Sequence, residues 1–371
     1  MKFLRMPIEI EAPEQLGYHK IDCNLTESSY TDFKFKDLGL DLNELLISYV
    51  DHRGHPGLRK LLSEETKGII HPDQVLLTSG AAQALFIISS SLLDRGDELV
   101  VVRPNYATNL ETPRALDAKL KIVELDFDSG YRTNPEAIKA AITTSTKLVS
   151  ITVPHNPTGA VMSERDLEAI IDITEKAGCL LLVDETYREM NFDGVMPHAA
   201  SRAGHVISVA SFSKTFGLPG IRVGWLMTRN QKAFETFFAA KEQIQICGSA
   251  LDEEIAFQFY AKKDHFLPAI QSNLRRKFTI LKNWMENQNH LEWVEPRGGC
   301  VAFPRFKKPV AERINLDRFY KTLNETFSTY VGPGHWFEQS KTSMRIGYGW
   351  PGEEELRRGL DNITKSIEKS Q

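Results

Sequence analysis

Lys214 follows the apolar run Val206–Ala210, inside the segment Ser211-Phe212-Ser213-Lys214-Thr215-Phe216-Gly217. A lysine amine can bond reversibly to a carbonyl carbon and, once free again, can carry a proton. Other polar residues follow other apolar runs. VLLT leads into Ser79-Gly80-Ala81-Ala82-Gln83, a turn of small residues opening a helix, where backbone N–H groups can meet an anion. VV leads into Arg103-Pro104-Asn105-Tyr106, SITV into Pro154-His155-Asn156-Pro157-Thr158-Gly159, and CLLLV into Asp184-Glu185-Thr186-Tyr187. Near the carboxyl end, Arg345 stands in SMRIGY. A guanidinium suits a paired bond to a carboxylate. Each fragment alone has an ordinary reading. SGAA can be mere packing of small residues, NPTG an ordinary turn, Asp184 a solvated strand cap, and Lys214 or Arg345 a surface charge.

The elements that must position these residues alternate along the chain. From about residue 56, short continuous runs rich in Val, Ile and Leu (VLLTSG, ELVVV, KIVELD, KLVSITV, CLLLVD, HVISVA, IRVGWLM) are mostly separated by amphipathic helical stretches. Asn134 and Pro135 mark one helix start, and Ser163 with Asp166 three residues on marks another. Buried strands separated by helices describe an α/β fold, a mostly parallel central sheet with helices on both faces. Ligands of such sheets sit beyond the carboxyl ends of the strands. After Met227 the pattern changes to long helices over 230–288, with breaks expected near Cys247–Gly248 and near Pro268. LEWVEP, GGCVAFPRF, FSTYVGP and SMRIGY then read as strands of a smaller α+β domain. The expected division is 1–40 joining the small domain, 41–245 as the large domain and 246–371 as the small one.

In order and spacing, TSGAAQAL, RPNYATN, PHNPTG, VDETY, SFSKTFGLPGIRVGW and MRIGYGW resemble the fold-type I enzymes that use pyridoxal 5'-phosphate (PLP), specifically the class I/II aminotransferases. The most specific of these is SxSKxxxxxGxRxGW, and the resemblance runs over roughly residues 20–370. It implies the PLP-dependent transferase fold, with the cofactor held by Lys214 as an imine. It further implies Asp184 on the ring nitrogen, Asn156 and Tyr187 on the ring's phenolate oxygen, and Tyr106 stacked on the ring. The phosphate falls to Gly80, Ala81, Ala82, Ser211, Ser213 and Arg222. Arg345, with Asn156, holds the substrate carboxylate. Tyr49, in SYVDHRGHPGLRK, resembles a tyrosine that reaches the phosphate of a neighbouring subunit, so a homodimer with shared sites is expected. His52, Arg53 and His55 beside it read as solvated loop residues. Two departures stand out. Ala81 and Ala82 bring only backbone groups to the phosphate, and Asn24-Leu25-Thr26-Glu27-Ser28 replaces a glycine-bearing segment that lines the family's substrate pocket.

The bulk properties narrow the alternatives. The formal net charge is −4 over 371 residues, with no basic block to suggest nucleic acid. No run approaches the ~20 apolar residues of a membrane span, and the amino terminus lacks a signal-peptide pattern. Cys23, Cys179, Cys247 and Cys300 are dispersed, so neither a metal site nor a disulfide framework is suggested and a cytoplasmic setting fits. Cys179 reads as a core residue. The expected reaction moves an amino group from an α-amino acid to a 2-oxo acid. A lyase or decarboxylase of the same fold, such as a C–S β-lyase, stays open, as does a ligand sensor without enzymatic activity. Specialists for acidic substrates in the family it resembles often bring a second arginine from the segment after the long interdomain helix. Ile244–Tyr260 contains no Lys or Arg, so the resemblance disfavours a specialist for aspartate or glutamate.

Overall fold

The amino-terminal segment supplies one short strand, β1 (Cys23–Leu25). Seven apolar runs then build the main sheet: β2 (Val75–Thr78), β3 (Glu98–Arg103), β4 (Lys119–Glu124), β5 (Thr146–Thr152), β6 (Leu180–Asp184), β7 (Val206–Ser211) and β8 (Gly224–Thr228). The computed structural model describes residues 2–371. The sheet order is β2-β8-β7-β6-β5-β3-β4. β8 pairs antiparallel with both β2 and β7, while every other neighbouring pair is parallel. The expected mostly parallel sheet is thus present, with a single reversed strand.

Both faces are covered, which is why the central strands are apolar throughout. Leu99 and Val101 of β3 share a core with Ala84, Leu85 and Ile88 of the helix Gly80–Leu92. Val100 and Val102 point to the other face and share a core with Leu167, Ile170 and Ile171 of the helix Glu164–Ala177. Neighbouring residues divide between the faces because side chains alternate along a strand. The edge strand β4 instead exposes Lys119, Lys121 and Glu124, and charges on an edge discourage pairing with another chain. Ser163 and Asn134 cap their helices as expected, accepting from the backbone N–H groups of Asp166 and Glu136.

The later strands are β9 (Leu291–Glu292), β10 (Val301–Ala302), β11 (Arg305–Phe306), β12 (Thr329–Pro333) and β13 (Met344–Gly347). They form a sheet of order β1-β12-β13-β10 and a β9–β11 ribbon. β1 pairs in parallel with β12, so the amino-terminal segment joins the carboxyl-terminal sheet. The helices Lys263–Glu286 and Glu353–Glu368 pack there, with Leu274, Leu281, Leu356, Leu360 and Ile363 meeting Leu25, Val331 and Ile346. Two sequence expectations need correction. Only the first two residues of LEWVEP form a strand. Pro268 does not break its helix; the break is at Lys262, and Pro268 sits inside Lys263–Glu286 near its start. There a proline forfeits a single backbone bond, and tertiary packing overrides that loss. Among the described residues no helix is long and apolar enough to cross a membrane, and no His, Cys, Asp and Glu cluster could hold a metal ion.

The carboxyl ends of β2, β5, β6 and β7 and the start of β8 lie along one edge of the main sheet. There β8 runs hard against the start of the helix Gly80–Leu92. A Cβ added to Gly224 would lie 2.6 Å from the Gly80 carbonyl carbon and 2.7 Å from the Ala81 nitrogen. Those atoms are backbone and cannot swing aside. Gly224→Ala is therefore expected to lower stability by about 1–3 kcal/mol, the usual cost of overpacking. Urea unfolding of the cofactor-free protein measures this, and an unchanged midpoint would contradict the close approach.

Candidate active site

A cavity of about 420 Å³ opens at this edge, and its lining joins residues from almost the whole chain. It brings together Ala81, Ala82, Tyr106, Asn156, Asp184, Tyr187, Ser211, Ser213, Lys214, Arg222 and Arg345. Gly80 lies directly behind it, against Arg222. Tyr49 is the exception. It is 85% exposed and belongs to a separate surface hollow with residues 242–248. A wider hollow of about 710 Å³ lies near Tyr131, Arg132 and Arg297 and contains none of these residues.

One end of the cavity is built for an anion. Gly80 adopts φ +71°, and a Cβ there would lie 2.5 Å from Arg222 Nη2, so only glycine admits the guanidinium. Arg222 itself is in the left-handed region, φ 50°. Its Nη1 donates to Ser213 Oγ at 3.2 Å and to the Pro219 carbonyl at 3.0 Å. Both acceptors are neutral, so its charge is not cancelled by a carboxylate. Ala81 and Ala82 follow in the first turn of a 13-residue helix, whose free N–H groups and dipole favour negative charge. Gln83 Oε1 accepts from the Ser79 N–H at 2.6 Å, which steadies this turn.

The middle of the cavity holds a buried carboxylate and a half-buried amine. Asp184 Oδ1 accepts from the Thr186 hydroxyl at 2.6 Å and from its N–H at 3.0 Å. Burial pushes the Asp184 carboxyl above its ordinary pKa, and the two Thr186 bonds oppose that rise. A buried carboxylate calls for a cationic partner, and a protonated ring nitrogen would answer that need. Burial lowers the pKa of Lys214, while the carboxylate of Glu27 works against that fall. A lysine shifted this way keeps more of its amine uncharged, as a nucleophile or base requires. Tyr187 is buried, and burial raises its phenol pKa, so it stays a donor.

At the far end, Arg345 is 4% exposed. Its Nη1 donates to Asn156 Oδ1 at 3.0 Å and its Nη2 donates to the Thr26 carbonyl at 2.7 Å; among the described residues its Nε has no partner. Asn156 Oδ1 is thereby committed to Arg345, which leaves the amide N–H₂ as the group Asn156 can offer. The neighbouring His155 bonds Thr158 Oγ1 at 2.8 Å, and burial lowers its pKa to about 4, so it is a neutral structural residue.

Several lining residues were invisible to sequence reasoning. Thr186 lies inside the VDETY segment, and its hydroxyl two residues after a strand-end Asp was a usable signal. Trp336 and the amino-terminal residues Ile8, Glu9, Ala12, Pro13, Glu14 and Tyr18 also line the cavity. No periodicity or motif marks them. The segment Thr26–Ser29 forms part of the wall, where the sequence left the pocket floor undefined. His55 is not a solvated loop residue. Its ring caps the helix Pro56–Glu65 and stacks on Phe257 with centroids 4.4 Å apart.

The donor set fits PLP: an anion cradle, an unpaired buried carboxylate and a pKa-depressed lysine share one cavity. Comparison with known proteins agrees. The model of the family "Aminotransferase class I and II" matches residues 24–363. An aspartate aminotransferase of Pyrococcus horikoshii is 27% identical over 344 residues, spanning 88% of this chain and 85% of that protein. Capreomycidine synthase of Streptomyces vinaceus is 27% identical over 295 residues, 79% of this chain and 74% of that protein. The solved structure of the PLP-dependent cyclase OrfR superposes with a TM-score of 0.89 at 26% identity, covering 100% of this chain and 98% of that one. The chain belongs to the class I and II aminotransferases, and its cofactor is pyridoxal 5'-phosphate.

Proposed function

We propose that this enzyme moves the amino group of an α-amino acid to a 2-oxo acid, with Lys214 as the cofactor-bearing and proton-moving residue. The observation that carries the reading is the half-buried, pKa-depressed Lys214 in one cavity with Asp184 and Arg345. PLP, when bound, supplies an electron sink for the charge left on the substrate's α-carbon. The chain supplies the rest. Arg345 and Asn156 hold the substrate carboxylate, which fixes the α-carbon. Lys214 Nζ would take the substrate's α-proton and return it elsewhere. Asp184 would keep the ring nitrogen protonated, and Asn156 and Tyr187 would donate to the ring oxygen. Tyr106 would stack on the ring. Arg222, Ser211, Ser213 and the N–H groups of residues 80–82 would hold the phosphate. Four unpaired cysteines, three of them buried, suit a cytoplasmic setting.

A homodimer completes the site in this reading. Leu46, Ile47 and Tyr49 are 74–85% exposed, and Ile47 and Tyr49 share a surface hollow with half-exposed Ile244 and Ile246. Exposed apolar side chains in one place mark an interaction surface. Tyr49 then serves the phosphate of the other subunit, since it does not reach its own cavity. A second reading, elimination or cyclisation following the same proton removal, draws on the likeness to the cyclase OrfR. One measurement separates the two. Mixed with an amino acid and no acceptor, a transaminase releases one equivalent of 2-oxo acid per site and no ammonia. Continuous ammonia release would establish elimination instead, and consumption of the amino acid with neither product would establish cyclisation.

Three variants test the assigned roles. Borohydride reduction and peptide mapping should place the pyridoxyl group on Lys214, and Lys214→Ala should lose at least roughly 10²–10⁴-fold in rate. A label on another lysine would refute the assignment. Asp184→Asn is expected to retain some PLP but lose most of its single-turnover rate, because the ring nitrogen no longer has an anionic partner. A wild-type rate in Asp184→Asn would make that carboxylate structural. Tyr49→Phe should weaken PLP retention by about 0.5–1.5 kcal/mol, rising to ~3 if the acceptor is charged. Hybrids of Lys214→Ala subunits with a severely impaired Tyr49 variant should regain activity, since one of the two sites carries neither lesion. Confirmed hybrids without recovery would place Tyr49 outside the shared site.

A further inference from the structure

The cavity carries more negative charge than the cofactor and the reaction use. Each of its cations is already assigned, Lys214 to the cofactor, Arg222 to the phosphate and Arg345 to the substrate carboxylate. Among its carboxylates, Asp184 is engaged by the ring nitrogen. Glu9, Glu14, Glu27 and Asp32 remain, all on the amino-terminal wall. Among the described residues, neither Glu27 nor Asp32 is ion-paired. Glu27 Oε1 accepts from the Tyr18 hydroxyl at 2.9 Å, and Asp32 Oδ2 accepts from Trp350 Nε1 at 2.9 Å. Tyr18 and Trp350 stack on each other, with ring centroids 6.0 Å apart and planes at 21°. Two carboxylates are thus held by one aromatic pair, and both aromatic faces and carboxylates attract organic cations.

The position of Glu27 is tied to the carboxylate anchor. Arg345, buried and with an unpartnered Nε, lines the same cavity and donates through Nη2 to the carbonyl of Thr26, the residue just before Glu27. Thr26 is fixed again by Asn24, whose Oδ1 accepts from its N–H at 3.0 Å and from its hydroxyl at 2.6 Å. Gly347 admits the backbone of Glu27, since a Cβ at Gly347 would overlap the Glu27 carbonyl oxygen. The cation that would grip a substrate's α-carboxylate therefore also positions the anion at the side-chain end.

We infer that the enzyme's preferred substrates are α-amino acids whose side chain ends in a cation, an ammonium or a guanidinium, received by Glu27 with Asp32. The inference rests on the aminotransferase reading of this site. An acidic side chain would meet like charge at this wall.

The test is a titration of the PLP-loaded enzyme, read as the shift of the cofactor absorbance band, with L-lysine, L-ornithine, L-arginine, L-norleucine and L-glutamate. At least one cationic amino acid should half-saturate at a concentration roughly tenfold or more below L-norleucine, the scale of one charged hydrogen bond, and L-glutamate should be weakest. In Glu27→Gln, which keeps an acceptor for Tyr18, the preference for the cationic amino acid over norleucine should fall about tenfold. Asp32→Asn should lower it in the same direction. Raising the salt concentration should weaken the cationic ligand more than norleucine in the wild type. Norleucine or glutamate binding as well as every cationic amino acid overturns the inference and leaves the aminotransferase reading standing. So does an unchanged preference in Glu27→Gln. If no amino acid shifts the band, both readings fail together.

Discussion

A buried guanidinium without an anionic partner is the constraint around which the site is arranged. Arg345 is enclosed, yet its two bonded acceptors are an amide oxygen and a backbone carbonyl, both neutral. Its guanidinium lies over the Phe337 ring, 4.9 Å from the centroid. Burial of an uncompensated charge is costly, and here burial pulls the Arg345 pKa down. A carboxylate arriving in the cavity removes that penalty in one step. The neutral acceptors matter too. A protein carboxylate in their place would compete with the ligand, whereas Asn156 and Thr26 orient the guanidinium and leave its charge available.

The fold's contribution is to bring such groups together without strain spread through the core. β5 ends on Thr152, shortly before Asn156; β6 ends on Asp184, and β7 ends on Ser211, shortly before Lys214. Strands in register place these ends side by side: Thr152 is opposite Asp184, and Ser211 is opposite Gly224. The apolar bodies of the strands are held by helices on both faces. At the site, Gly80 and Arg222 take positive φ just beyond the strand ends. Rigid strands with irregular ends are a general solution for holding several groups at fixed separations.

Much of this was legible in the sequence for a physical reason. Groups that follow a strand are contiguous with an apolar run, so Lys214, Asp184, Asn156 and Arg222 each sit beside a readable element. Alternating buried strands and amphipathic helices announce the sheet in the same way. The cover of the site is different. Ile8, Glu14 and Tyr18 come from two four-residue helices and a short turn, too brief for any period to show. Their place is decided by long-range contacts, such as Trp336 Nε1 donating to Glu11 Oε2 at 2.6 Å. Pro268 misled in the opposite direction: a strong local breaker was outvoted by the packing of Ile270, Leu274 and Leu281 along the same helix. Tyr49 was readable only by resemblance, because it stands outside the cavity of the chain that carries it.

The pairing of β1 with β12 has a consequence for biosynthesis. The N–H of Asp22 meets the hydroxyl of Ser328, 306 positions further along the chain, and among the described residues β12 is the one strand β1 pairs with. Domains form as the chain emerges from the ribosome, amino end first, and contacts this distant in sequence are slow to close. The main sheet can assemble while its last strand, β8, is fresh from the ribosome. β1 and the acidic residues on either side of it must wait, undocked, until β12 has been made. A ribosome that stalls before residue 329 therefore releases a chain able to bury its large sheet but carrying an open, unfinished mouth, and the nascent enzyme passes through that form on every round of translation.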